Sequence, residues 1–167
     1  MIFVRVPRTG STSFLADTGI QEIGPKHATA RALRALFPQR WREAHTMGTI
    51  RNPWDWLVSV YNSGVSVGAG IKEAWQGPRR SMQDSERVNF PFDEWVRQRQ
   101  TTPMDWLADG EEIIVNEVRL FEDFIRTAKT HKSGFAHAHY REWYSDDLAD
   151  YVAGRCRREI EIGNYTF

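Results

Sequence analysis

The chain has 167 residues, of which 41% are hydrophobic and 26% are charged, a composition typical of one globular domain and not of a disordered or fibrous protein. Lysine plus arginine and aspartate plus glutamate both number 22, so the formal net charge is zero, which argues against binding to nucleic acid or to an anionic membrane. A single cysteine, Cys156, excludes an internal disulfide and a cysteine metal cluster and fits a reducing compartment.

The chain begins with apolar and β-branched residues at positions 2–6, followed by Pro-Arg-Thr-Gly-Ser-Thr-Ser at positions 7–13. This pattern predicts a buried strand, a tight turn and the start of a short helix. Gly10 allows the backbone to approach a ligand closely, and the hydroxyls and the first N–H groups of the helix suit an anion, above all a phosphate. The segment is not a Walker A loop, because it lacks that spacing and the lysine after the glycine.

The next predicted elements favour a parallel sheet. Thr29 is predicted to cap a helix that runs through Phe37 and is closed by Pro38, and a strand follows near residues 45–51. The order strand, helix, helix, strand, helix indicates crossover helices between parallel strands. In such sheets ligands bind at the carboxyl ends of the strands, where both polar segments begin.

The segment after this second strand is a second candidate anion site. Arg51 ends the strand, Asn52 can cap the next helix, and Pro53 begins it. Ser59 lies off the apolar stripe of that helix and can therefore converge with Arg51 on one point. The guanidinium offers the bidentate fork that suits phosphate. The apolar stripe consists of Leu57, Val60 and Tyr61.

These two segments resemble the donor-binding motifs of sulfotransferases that use 3′-phosphoadenosine 5′-phosphosulfate (PAPS), in the Golgi carbohydrate-sulfotransferase-like branch and its bacterial and viral relatives. Residues 7–13 resemble the 5′-phosphosulfate loop, P-K-T-G-[GS]-T-[ST], and residues 50–59 resemble the 3′-phosphate motif, R-N-P-[YW]-D-R-x-x-S. Residues 26–30, which include a histidine, and the segments 139–144 and 164–167 are also similar to segments of that family.

The resemblance implies a fold and a reaction. The fold is α/β, a three-layer P-loop-like fold with a central parallel β-sheet flanked by helices, and residues 1–167 form a single domain. The implied cofactor is PAPS, the sulfuryl donor, and the implied partner is a small-molecule or carbohydrate acceptor. Arg8 and His27 are the expected catalytic residues, with His27 as the base. The expected donor-binding residues are Arg8, Thr9, Gly10, Ser11, Thr12, Ser13, Arg51 and Ser59.

The rest of the chain carries weaker signals. Residues 64–90 are punctuated by glycines and predict an irregular, mobile segment. Pro91 is predicted to open a helix, and the tryptophans along the chain are assigned to core packing. Further predictions are a short strand at residues 113–115, a helix at residues 120–129, and a long helix opened by Ser145. The helix at 120–129 is predicted to face inward through Phe121, Phe124, Ile125 and Ala128.

Arg8 stands where the family usually has lysine, and this departure keeps a second hypothesis open. Arginine retains the charge but essentially cannot give up a proton. The alternative is therefore a PAPS-binding or structural protein that has weak catalysis or none. A third hypothesis is a kinase-like nucleotide-binding protein, against which the missing Walker A lysine and magnesium-site acids argue.

Metal binding and membrane insertion are not expected. His131, His137 and His139 could suggest zinc, but no acidic or cysteine ligand recurs at a suitable spacing. The apolar runs are too short to span a bilayer, and no basic-then-apolar leader precedes the first strand. We therefore expect a soluble, cytoplasmic protein without a metal.

Overall fold

The computed structural model describes residues 1–62, 91–125 and 139–167. Over these residues the chain is mixed α/β, with a three-stranded parallel sheet in the order β1-β2-β5, flanked by helices, and a two-stranded hairpin. The strands are β1 (Ile2–Val4), β2 (Thr46–Ile50), β3 (Ala108–Asp109), β4 (Glu112–Ile113) and β5 (Glu117–Leu120). The α-helices are α1 (Ser11–Thr18), α2 (Ala30–Leu36), α3 (Pro38–Glu43), α4 (Pro53–Asn62), α5 (Phe92–Gln98), α6 (Phe121–Ile125), α7 (Asp146–Arg155) and α8 (Arg157–Gly163). Two 3₁₀ helices span Pro103–Trp106 and Tyr140–Trp143.

The central strand β2 is buried along its whole length and pairs in parallel with both neighbours. Residues of β1 alternate between the two sides of the sheet, as the pleat of a strand requires. Ile2 and Val4 join the main core, whereas Phe3 packs on Phe14 of α1 with ring centroids 4.4 Å apart. Parallel pairing brings the carboxyl ends of all three strands to one edge, which positions the site described below.

Helix α4 departs from the predicted single apolar face. Trp54, Trp56 and Val58 are buried together with Leu57 and Val60 of the predicted stripe, whereas Tyr61 is half-buried. Ser59 is also buried, with only 3% of its surface exposed. The helix is therefore enclosed by the rest of the fold, and its polar Ser59 lies inside the protein instead of on an open surface.

Two predicted boundaries needed correction. The short strand expected at residues 113–115 is β4, but it spans Glu112–Ile113, because the turn around Gly110 pairs these residues with β3 and leaves Ile113 at 37% exposure. The third strand of the parallel sheet is β5, which begins at Glu117, after β4 has ended at Ile113. Helix α6 follows β5 directly. Pro38 closes α2 as predicted, but it also begins α3, in which Trp41 is buried.

Other predicted features were confirmed. The Thr29 hydroxyl accepts a hydrogen bond from the Ala32 amide at the start of α2, and the Ser145 hydroxyl accepts one from the Leu148 amide at the start of α7. Cys156 is buried at the junction of α7 and α8. The predicted irregular segment 64–90 and Ala128 lie outside the described residues. Within the described ranges, no helix has the length and apolar character needed to cross a membrane.

Candidate anion-binding site

Three loops meet at the carboxyl edge of the sheet. The first follows β1 and leads into α1, the second joins β2 to α4, and the third is the direct passage from β5 to α6. Side chains and backbone groups from all three are in contact, so that the two segments predicted from sequence form one site. The third loop was not predicted as part of it.

The loop after β1 adopts a backbone conformation that exposes amides. Arg8 and Gly10 have positive φ values of 63° and 68°. Gly10 is also the N-cap of α1, and a Cβ there would lie only 2.6 Å from Cε2 of Phe121. Because the first amides of a helix have no acceptor within it, the N–H groups of Ser11, Thr12 and Ser13 are not used by α1 itself. This arrangement suits an anion at the start of α1.

Two hydroxyls of this loop are bound by the protein. Thr9 is fully buried, its hydroxyl donates to the Val6 carbonyl at 2.9 Å, and it lies 2.7 Å from the Thr49 hydroxyl of β2. The Thr12 hydroxyl accepts a bond from Nη2 of buried Arg5 at 3.0 Å. Thr9 therefore ties the loop to the sheet through its side chain. Ser11 is buried and Ser13 is half-buried.

Arg8, Arg51 and Ser59 come together. The Arg8 Nε donates to the Ser59 hydroxyl at 3.1 Å, and the Arg51 Nη1 donates to the Arg8 carbonyl at 3.2 Å. Arg8 thus connects the two residues that were predicted to converge. Burial of its guanidinium, together with the nearby charge of Arg51, lowers the pKa of Arg8.

The Arg51 guanidinium is held on three sides. Its Nε and Nη2 both lie 2.6 Å from one carboxylate oxygen of Asp55, and its Cζ lies 4.6 Å from the centre of the Phe121 ring. With the bond to the Arg8 carbonyl, three of the five N–H groups of a guanidinium face protein acceptors. The remaining two N–H groups, one on Nη1 and one on Nη2, can donate to oxygens of a phosphate.

His27 is fixed in one tautomer by the backbone. Its Nδ1 lies 2.8 Å from the Arg5 carbonyl at the end of β1, and a carbonyl can only accept, so Nδ1 carries the hydrogen and Nε2 has the lone pair. Burial lowers the pKa of His27 to about 4, which keeps the ring neutral near pH 7. The ring therefore has the form that a general base requires, at a low basicity.

Two buried tryptophans hold the loops that carry these residues. The indole N–H of Trp56 donates to the Pro7 carbonyl at 2.7 Å, and that of Trp106 donates to the His27 carbonyl at 3.0 Å. Both side chains lie in the core, as the sequence analysis assumed, but each also positions a loop of the candidate site. Side-chain identity alone did not indicate this second role.

The sequence analysis missed the third loop. Phe121 was predicted only as an inward-facing helix residue, and Glu122 was not singled out. In the structure Phe121 contacts both Gly10 and Arg51, and Glu122 accepts a hydrogen bond from the Asn52 amide. Glu122 is the second residue after β5, at the carboxyl end of a parallel strand, where ligands of such sheets bind.

Metal ligands do not gather at this site. Within the described ranges, no group of three or more histidine, cysteine, aspartate or glutamate side chains could hold a metal ion. The ring of His139 lies against that of Tyr140, with ring centres 4.6 Å apart and planes tilted by 30°. His131 and His137 lie outside the described residues. Burial raises the pKa of the Cys156 thiol, which favours its uncharged form.

Comparison with known proteins returned no relative: no family model, no curated protein and no solved structure matches this chain.

Proposed function

We propose that the chain is a sulfotransferase that moves a sulfuryl group from PAPS to a hydroxyl or amine of a small-molecule or carbohydrate acceptor, on a three-layer P-loop-like fold. One observation carries the proposal: Arg8 bonds to Ser59 while Arg51 bonds to the Arg8 carbonyl, so residues from both predicted anion motifs share one site. Two adjacent anion positions are what a donor with phosphates at both ends of its ribose requires.

The two positions take different parts of the donor. The start of α1 and the left-handed loop before it would hold the 5′-phosphosulfate through backbone amides. The two remaining N–H groups of Arg51 and the hydroxyl of Ser59 would hold the 3′-phosphate. In this arrangement Arg8, which bonds to Ser59 and accepts from Arg51, would stabilise by its charge the oxygen that bridges sulfur and phosphorus.

The reaction is an in-line displacement in which positioning and charge stabilisation provide most of the rate. The acceptor oxygen or nitrogen attacks sulfur, the bond from sulfur to the bridging oxygen breaks, and its electron pair stays on the 5′-phosphate. The acceptor proton passes to Nε2 of His27. With a pKa of about 4, this nitrogen takes the proton only once bond formation has made the acceptor acidic.

A second candidate function is donor binding without turnover. The observation that favours it is the presence of arginine at position 8. Its guanidinium does not give up a proton to a leaving group, and its Nε already donates a hydrogen bond to Ser59. The leaving group is a weakly basic phosphate, for which charge without protonation suffices, so we place transfer first. Transfer of labelled sulfate to an acceptor distinguishes the two candidates.

The first experiment measures thermal stabilisation by 3′-phosphoadenosine 5′-phosphate (PAP), ATP and ADP. A ligand at about 100 times its Kd adds about 2.7 kcal/mol to the free energy of unfolding, which raises Tm by several degrees in a domain of this size. We expect a shift with PAP that is absent in Arg51→Ala. The matched control is Arg157→Ala, which removes an exposed arginine from another i,i+4 pair and should keep the shift.

Absence of any shift in the folded wild-type protein contradicts the proposal. A shift that favours ATP over PAP contradicts it as well and supports the kinase-like alternative. Loss of the PAP shift in Arg157→Ala as well as in Arg51→Ala indicates a general loss of stability and not a donor site.

A further inference from the structure

The carboxylate of Glu122 accepts two hydrogen bonds from distant parts of the chain. Its Oε1 accepts from the Asn52 amide at 2.9 Å, and its Oε2 accepts from the Tyr165 hydroxyl at 2.7 Å. A packing role alone does not require a carboxylate here. A direct role in binding a phosphate is also ruled out, since two anions would repel each other.

The Asn52 amide determines how Arg51 is presented. Asn52 caps α4, and its side-chain oxygen accepts from the amides of Trp54 and Asp55, at 3.1 and 3.3 Å. Its own N–H belongs to the peptide that joins it to Arg51 and takes no part in the hydrogen bonds of the helix. By fixing that peptide plane, Glu122 fixes the direction in which the Arg51 side chain leaves the backbone.

The neighbouring Phe121 holds the other end of the same side chain. Its ring lies under the Arg51 guanidinium and also against Gly10 of the first loop. The residues between β5 and α6 therefore contact Arg51 at two places, at its backbone through Glu122 and at its guanidinium through Phe121. The sheet positions these residues next to Arg51, because Leu120 pairs with Ile50, one residue before Arg51.

Tyr165 reaches Glu122 because the chain folds back after α8. Asn164 ends the helix with a left-handed backbone at φ 48°, and the Tyr165 amide donates to the Ile160 carbonyl at 3.1 Å. The Tyr165 ring covers Gly163, where a Cβ would lie 2.1 Å from the ring. Burial and the adjacent carboxylate raise the pKa of Tyr165, so the phenol remains a donor.

We propose that Glu122, held in place by Tyr165, is a positioning residue that makes Arg51 selective for the 3′-phosphate of the donor. This inference rests on the proposed function, since it concerns the same site. Glu122 acts through Arg51 and does not touch the ligand, and the terminal residues Tyr165 and Asn164 become part of the donor site through it.

The test compares two ligands that differ only in the 3′-phosphate, PAP and adenosine 5′-monophosphate, by titration calorimetry. The measured quantity is the ratio of their dissociation constants. We expect Glu122→Ala to reduce the preference for PAP about tenfold, with unchanged affinity for the monophosphate. Glu122→Gln should keep the preference within about threefold, because the amide oxygen still accepts from Asn52 and its NH₂ group can donate to the phenol oxygen. Glu161→Ala, which removes an exposed glutamate of α8, should match the wild type.

Each outcome separates the two proposals. If the wild type shows no preference for PAP, the proposed function fails, and this inference fails with it. If the wild type prefers PAP and Glu122→Ala keeps that preference, the inference alone is overturned. Should Glu122→Ala not fold, Glu122→Asp decides the matter, since it keeps the charge but withdraws the carboxylate by one methylene. An unchanged preference in Glu122→Asp then overturns the inference.

Discussion

The two polar segments of the site differ in which groups are available to a ligand. In the first segment, the loop after β1, the hydroxyls of Thr9 and Thr12 form hydrogen bonds within the protein. In the second segment, after β2, three N–H groups of the Arg51 guanidinium face protein acceptors and two do not. The first segment is thus suited to bind an anion through its backbone and the second through a side chain. Apart from Arg8, whose side chain belongs to the proposed donor site, substitutions in the first segment should therefore act mainly on stability, and substitutions in the second mainly on affinity.

Gly10→Ala should have the largest effect on stability. The added Cβ would lie 2.6 Å from the Phe121 ring at a backbone φ of 68°, so overpacking and backbone strain combine to cost about 2–4 kcal/mol. Gly19→Ala is the matched control, since Gly19 has φ 66° but nothing within 4 Å, and it should cost about 1 kcal/mol. Urea denaturation measures both, and equal losses would contradict the close packing of the first loop against α6.

The stability of the protein should also depend on pH through His27, whose ring bonds to the Arg5 carbonyl just after β1. The pKa of His27 is lowered from 6.5 to about 4 in the folded protein. Between these values the unfolded chain binds a proton that the folded chain does not, so the free energy of unfolding falls as pH decreases from 6.5 to 4, by roughly 2–3 kcal/mol.

Denaturation of the wild type and of His27→Asn at several pH values measures this contribution. Asparagine tolerates the left-handed backbone at this position, where φ is 62°. The slope of stability against pH in that window should be shallower in the variant. Equal slopes would mean that the imidazole is not buried as described.

Thr9→Val should lower the stability by about 1–2 kcal/mol, because it removes the bond to the Val6 carbonyl and the hydroxyl contact with Thr49. The Thr49 hydroxyl keeps its bond to the Thr9 carbonyl at 3.2 Å. The control is Thr18→Val, which removes an exposed hydroxyl that donates to a helix carbonyl and should change stability by at most about 0.5 kcal/mol.

The same Thr9→Val variant tests how the first segment binds its ligand. If the first segment binds an anion through its backbone, the Kd for PAP should stay within about threefold in Thr9→Val. A larger loss of affinity would assign the Thr9 hydroxyl to the ligand.

Asp55→Asn should lower the stability less than Gly10→Ala or Thr9→Val, by about 1 kcal/mol or less, because its partner Arg51 keeps its bond to the Arg8 carbonyl. The side chains of Arg51 and Asp55 are 14% and 22% exposed, against 80% and 61% for Arg157 and Glu161. Glu161→Gln should therefore cost less than Asp55→Asn, and its effect should vanish in high salt. Denaturation at low and high salt measures both, and the reverse order would contradict the enclosed setting of Arg51.

Local patterns predicted much of the fold and the two polar segments of the site. The β-branched run at β1, the Thr29 and Ser145 caps, and the Asn52-Pro53 helix start each depend on neighbours within a few residues. The strand β5 was not predicted, because its residues 117–120 carry less apolar character than residues 113–115 just before them, and only the tertiary structure decides which stretch enters the parallel sheet.

The sequence by itself determined the strand and helix types around both polar segments, because these follow from local spacing and from the capping residues. Tertiary structure alone decided that Thr9 points into the protein, that Trp56 and Trp106 hold loop carbonyls, and that Glu122 joins Asn52 to Tyr165. Those contacts join residues 40 or more positions apart in most cases. The partner of a hydrogen bond across such a distance is set by packing, which no local pattern encodes.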